Sequence, residues 1–365
     1  MTEIFQATEK IDVRRPASHI AASIARTFPD HIPLYICTVL FDAILFGILF
    51  IYGIAPDLRM GVTVVAGFFQ FALIAVGLIS LYELLRMYRA HENHAVLATL
   101  LRRMQERFSA GDRPGNIVHS LATLTPLMLA FTAFKNAIPY MNPFAWDAWL
   151  TQVDTHLGFG HAPWVLLQAV FGHPAITVLI NIIYDGWFLV VLICTVWQGF
   201  SSQRSPVRLQ FLLAYAIAWF AGGSLLALWF SSAGPCFYGH LNLGADPYAA
   251  QMAYLRGIGA DWIWSLGVQD SLWQSFVRGG GAISGVSAMP SMHVTIAVLL
   301  ALLGAATNRK QGLALGAFAF AIVIGSIHLA WHYAADGIAG IALALLFWWL
   351  AGHIARRWMA RTAHQ

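Results

Sequence analysis

Apolar runs alternate with polar segments along the whole chain, at 33–54, 61–84, 116–138, 175–197, 210–230, 291–306, 312–332 and 337–355. Each approaches the roughly 20 helical residues needed to cross a hydrocarbon core. The pattern predicts about eight transmembrane helices in an all-α integral membrane fold. The run at 291–306 is the shortest, and it completes a span only if Met289 and Pro290 lie at the membrane surface. Two long segments, 139–174 and 231–290, carry Trp146, Trp149, Trp164, Trp262, Trp264 and Trp273, as suits an interface between bilayer and water.

Composition agrees with the pattern. Of 365 residues, 59% are hydrophobic and 10% charged, with mean hydropathy +0.65, whereas soluble domains carry about 25% charged residues. The net charge of +4 is explained by topology and implies no nucleic acid partner. With a cytoplasmic N-terminus, the segments on that side hold 4 (1–32), 6 (85–115), 2 (198–209), 2 (307–311) and 3 (356–365) Lys and Arg. Only Arg59, Lys135, Arg256 and Arg278 face the other way. Such a bias sets orientation, so both termini are expected in the cytoplasm of a bacterial inner-membrane protein. Residues 1–32 show no cleavable signal pattern. Cys37, Cys194 and Cys236 suggest no disulfide framework.

Residues 1–115 are read as a two-span hairpin followed by a basic amphipathic helix with Arg102, Arg103 and Arg107, held at the interface by anionic headgroups. Residues 116–365 form a six-span core.

Two elements carry candidate chemistry. His328, His332 and Asp336 are spaced i, i+4, i+8; at about 100° per residue they share one stripe if the helix is continuous. A carboxylate one turn from an imidazole holds one ring nitrogen as donor and leaves the other as nucleophile or base. Met289-Pro290-Ser291-Met292-His293 opens the sixth candidate span, where Pro290 suits the first turn and free N–H groups suit phosphate oxygens. The span at 312–332 runs opposite to that at 291–306, so both elements reach one membrane face. The glycines of RGGGAISG (278–285) relax backbone limits before it.

PSMH followed by HxxxD resembles the type-2 phosphatidic acid phosphatase superfamily, whose motifs read PSGH and SRxxxxxHxxxD. The resemblance implies that His332 attacks phosphorus, Asp336 orients it and His293 protonates the leaving alkoxide, with no metal or other cofactor. Ser291, Met292 and neighbouring N–H groups would hold the phosphoryl oxygens of a lipid phosphate substrate. Met292 replaces the motif's glycine, and Gly325-Ser326 stand where it has Ser-Arg. Lys135, Arg256 and Arg278 are the rival phosphate anchors, and His328 is a further contact. Loss of the family's upstream basic motif, Lys-x6-Arg-Pro, together with Ser231-Ser-Ala-Gly-Pro-Cys-Phe-Tyr238, resembles the branch of inositol phosphorylceramide and sphingomyelin synthases. The products would then come from hydrolysis or from headgroup-phosphate transfer between lipids.

Two other readings stay open. HxxxHxxxD also has metal-ligand spacing, which makes a metal-dependent membrane hydrolase the alternative, although His91 and His94 lie on the cytoplasmic side, too far away to add ligands. Asp42, Asn181 and Asp185 within spans suit an ion pathway, as in a transporter, or for Asp185 a hydrogen bond to a neighbouring span. Gly312 and Gly316 read as close helix packing.

Overall fold

The computed structural model describes residues 14–91, 95–279 and 285–362, with side chains from residue 18 onward. Lys10, His94 and residues 280–284 of the glycine-rich stretch lie outside the described residues. Helices follow one another as α1 (Arg14–Ile51), α2 (Arg59–Arg89), α3 (Val96–Phe108), α4 (Arg113–Met141), α5 (Asp147–Leu157), α6 (Pro163–Phe171), α7 (Pro174–Asp185) and α8 (Trp187–Gly199). The chain continues through α9 (Pro206–Ile217), a π-helical stretch (Ala218–Leu226), α10 (Ala227–Trp229), a 3₁₀ turn (Pro235–His240), α11 (Ala249–Ile258) and α12 (Trp264–Val277). It ends with α13 (Met292–Thr307), α14 (Arg309–His328) and α15 (Ala334–Thr362). There is no strand among the described residues.

Seven helical stretches are long and apolar enough to cross a membrane, and α13 is a shorter apolar helix at the eighth expected position. The protein is therefore an all-α, multi-pass membrane protein. The fourth stretch is α7 and α8, joined at Gly186, and the fifth is α9 to α10. Although it is the shortest of these, α13 is well enclosed: Val294, Ile296, Ala297, Leu299, Leu300 and Leu303 are fully buried among α14, α15 and α9. In contrast, α2 buries only Gly61, Glu83 and Met87 and packs on α4 and α3.

The basic ends of the helices are tied together. Arg204 binds Asp30 at 2.6 Å, Arg26 binds Asp112 at 2.8 Å, and Arg107 of α3 binds Glu83 of α2 at 2.8 Å. Hydropathy alone starts the first span at residue 33, but helix α1 begins at Arg14. Its added turns lie beside α15, where Trp358 donates to the Pro29 carbonyl at 2.8 Å. Gly312 meets Ala305 closely, whereas Gly316 faces open space, so only the former serves the tight α13–α14 contact.

The largest departure from the sequence reading is at the other end of α14. That helix stops at His328, and the chain turns through 329–333 before α15 starts at Ala334. No single helical stripe joins His328, His332 and Asp336. Pro290 likewise precedes the helix instead of opening it: Ser291 is the N-cap, its hydroxyl accepting from the Val294 N–H at 3.4 Å.

Candidate active site

The turn at 329–333 is held on several sides. Ala330 takes a left-handed conformation, φ +62°, which non-glycine residues rarely adopt, and its carbonyl accepts the Cys236 N–H at 2.9 Å. His332 donates its backbone N–H to the Ser326 carbonyl at 2.9 Å. From α5, Asp147 accepts the Tyr333 hydroxyl at 2.8 Å and the N–H groups of Ala233 and Gly234 at 2.9 Å each. One face of α5 also carries Asp154, which accepts the N–H groups of Ala334 and Ala335 at 2.8 and 3.0 Å. These are N–H groups at the start of α15 that lack intrahelical acceptors, and a carboxylate suits a helix N-terminus.

The segment 231–238 lies against the same turn. Gly234 has φ +102°, and a Cβ there would come within 2.8 Å of the Trp331 carbonyl, so glycine is required. Ser232 fixes the approach to α13 through its carbonyl, which accepts from Ala288 at 2.9 Å, and its hydroxyl, which accepts from Met289 at 3.1 Å. The Met289–Pro290 peptide bond is cis. At Gly340 a Cβ would meet the Ser291 carbonyl at 2.8 Å. This close approach of α15 to α13 lets the Ser291 N–H reach the Asp336 carbonyl at 3.2 Å.

These supports bring the two motifs together. Nδ1 of His332 lies 3.3 Å from Oδ2 of Asp336, and the His293 and His332 ring centroids are 6.1 Å apart. His293 stacks on Tyr184 at 4.8 Å and packs against Trp187 at 4.4 Å, while Trp187 donates to the His293 carbonyl at 3.0 Å. By helix geometry the N–H groups of Met292 and His293 have no intrahelical acceptor. Burial holds His332 well below the ordinary histidine pKa, reinforced by the charge of Lys135. Its imidazole is therefore neutral at physiological pH and has a lone pair to offer.

A cavity of about 620 Å³ opens over this pair, lined by Lys135, Tyr184, Trp187, Met292, His293 and His332 among others. Ser291 is fully buried behind it. Of the rival anchors, Lys135 alone lines the cavity; Arg256 lies near Asp270 at 3.6 Å, and Arg278 is exposed beside Gln274. His328 is turned elsewhere. Its Nε2 meets the Thr177 hydroxyl at 2.9 Å, and its ring lies near Phe171 and Tyr254. Among the described residues no group of three or more His, Cys, Asp or Glu converges as metal ligands.

Asn181 and Asp185 bond each other at 2.9 Å and reach Ser265 at 3.2 Å. Ser265 in turn accepts the Trp331 indole N–H at 3.1 Å. The pair thus anchors helix α12 and the residue beside His332, not a neighbouring span. The sequence reading missed Asp147, Asp154, Tyr184 and Ser232 at this site. The two aspartates did leave a signal, a seven-residue spacing on one face of a short interfacial helix.

The chain is thus a multi-pass helical protein that sets a histidine–aspartate pair and a second histidine at an apolar cavity. Residues 148–350 match the model of the PAP2 superfamily, and with more than half of the chain matched, the protein belongs to that superfamily of phosphatases and phosphotransferases. The match contains His293, His332 and Asp336 but not Lys135 or the first two spans. Comparisons with curated proteins and with solved structures give no match.

Proposed function

We propose that this protein acts on lipid phosphoesters by double displacement at phosphorus. The observation that carries the reading is the His332–Asp336 pair facing His293 across the mouth of an apolar cavity. His332 uses the ring nitrogen that Asp336 does not hold to form a bond to phosphorus. The bond from phosphorus to the lipid oxygen breaks, and His293 in its protonated form gives that oxygen a proton. Water or a second lipid alcohol then loses a proton to His293 and takes the phosphoryl group from His332. Lys135 and the N–H groups opening α13 offset charge on the phosphoryl oxygens.

The 17-to-4 division of Lys and Arg supports a site on the non-cytoplasmic face of a bacterial inner membrane. Contact between the 231–238 segment and the catalytic turn supports the finer reading, transfer of a headgroup phosphate between lipids.

The test is release of phosphate or headgroup from a panel of phospholipids by purified protein in detergent with chelator, comparing wild type with His332→Ala. Turnover that survives chelator and vanishes in the variant is expected, and the products separate hydrolysis from transfer. Loss of turnover in chelator would replace this reading with a metal-dependent hydrolase. Substrate flux that persists in His332→Ala would replace it with a transporter.

A further inference from the structure

The cavity at the histidines does not stop beneath them. Its walls run along α4 from Lys135 to Ser120 and along α8 from Trp187 to Gly199. At 1.5 Å per residue these walls are about 22 and 18 Å long, against about 15 Å for half of a hydrocarbon core. A third wall is α2, through Met60, Thr63, Val64, Gly67 and Phe68. That spacing, i, i+3, i+4, i+7, i+8, is one stripe of a helix, and α2 lies outside the matched family region. Thr63, Val64 and Gly67 are exposed, as are Phe188 and Leu189 of α8. The cavity therefore opens sideways at the depth of the bilayer. Gly61 locks α2 to α4, since a Cβ there would collide with Thr132 and Leu129, whereas a Cβ on Gly67 would meet nothing within 4 Å.

We propose that this space holds a hydrocarbon tail of the lipid substrate, long enough to pass the bilayer midplane, and that α2 is the wall that sets tail length. The inference rests on the lipid phosphoester reading above. Continuity with the two histidines names the occupant: a lipid whose phosphate sits at His293 and His332 has this apolar path beneath it. The tail leaves one apolar medium for another, so transfer from water supplies no selectivity, and shape does. Gly67 lies eight residues from Arg59, about 12 Å below the head end of α2. A short tail ends above it and a long tail passes it.

The experiment compares phosphoester lipids with the same headgroup and octanoyl or stearoyl tails in mixed micelles, using wild type, Gly67→Phe, Phe68→Ala and His332→Ala. In Gly67→Phe, where the ring stands in the way of a long tail, the long-to-short ratio of kcat/KM should fall by about tenfold. Phe68→Ala widens the same wall and should move the preference towards longer or bulkier tails. Either variant, if folded by its gel-filtration profile, decides the matter. An unchanged ratio alongside wild-type turnover that depends on His332 overturns the tail channel and leaves the function standing. Absence of His332-dependent turnover with both lipids overturns both.

Discussion

One oxygen of Asp336 serves two residues at once: Oδ2 lies 3.3 Å from Nδ1 of His332 and accepts the backbone N–H of Tyr333 at 3.0 Å. The carboxylate thereby fixes both the ring and the backbone of the turn that carries it. Asp336→Asn keeps the shape but puts at risk the tautomer that leaves the outer nitrogen free. Turnover should drop by about 10²–10⁴-fold, measured as lipid phosphoester cleavage with unchanged expression and gel-filtration behaviour. An Asn variant within a few-fold of wild type would remove Asp336 from the nucleophile's support.

His293 faces His332 with ring centroids 6.1 Å apart, and the proposed mechanism makes it the proton donor to the departing oxygen. His293→Gln is expected to lose most activity on alkyl phosphoesters and far less on aryl phosphoesters, whose leaving groups need little protonation. Equal losses on both substrates would show that His293 acts otherwise.

Asp147 gathers three donors from two loops. In Asp147→Asn an amide N–H₂ turns against donors that need an acceptor. The cost should be about 2–4 kcal/mol, read as a lowered thermal midpoint together with loss of turnover. A midpoint equal to wild type would mean the clamp does little.

Burial pushes Asp154 up to about 6, with its two backbone N–H bonds opposing the shift and Asp336 adding to it. Because the folded pKa exceeds the unfolded one, folding takes up a proton between about 4 and 6, so this group's contribution to stability falls as pH rises through that window. Thermal midpoints measured from pH 4 to 7 should therefore slope less in Asp154→Asn than in wild type. Parallel curves would contradict the assignment.

His328 bonds to Thr177 and lies off the cavity, so His328→Gln should keep turnover within about threefold. Loss of a hydrogen bond of about 1 kcal/mol should lower the thermal midpoint by about 2–4 °C. A loss of turnover as large as that of His332→Ala would return His328 to the chemistry.

The spans were legible because length and hydropathy are enforced by the bilayer itself. So was the meeting of His293 with His332, which follows from the antiparallel order of α13 and α14. The helix break was not: the run from residue 312 continues apolar through Leu329, Ala330 and Trp331, and no glycine or proline marks its end. Ala330 ends the helix in a conformation that its residue type does not announce. Asp147 and Asp154 look like solvated acids on a short interfacial helix, and their burial comes only from packing against distant loops. Arg256 and Arg278 share the expected face of the bundle, but topology assigns an end of a bundle, not a cavity.

The hydrogen bond from Tyr333 to Asp147 spans 186 positions of chain. At about 5–20 residues per second of synthesis, roughly 10–40 s separate the emergence of its two partners. All spans from α4 to α14 have been made by the time the bond can close. The turn that carries His332 is thus closed late in biogenesis, after the helices before α15 have been made.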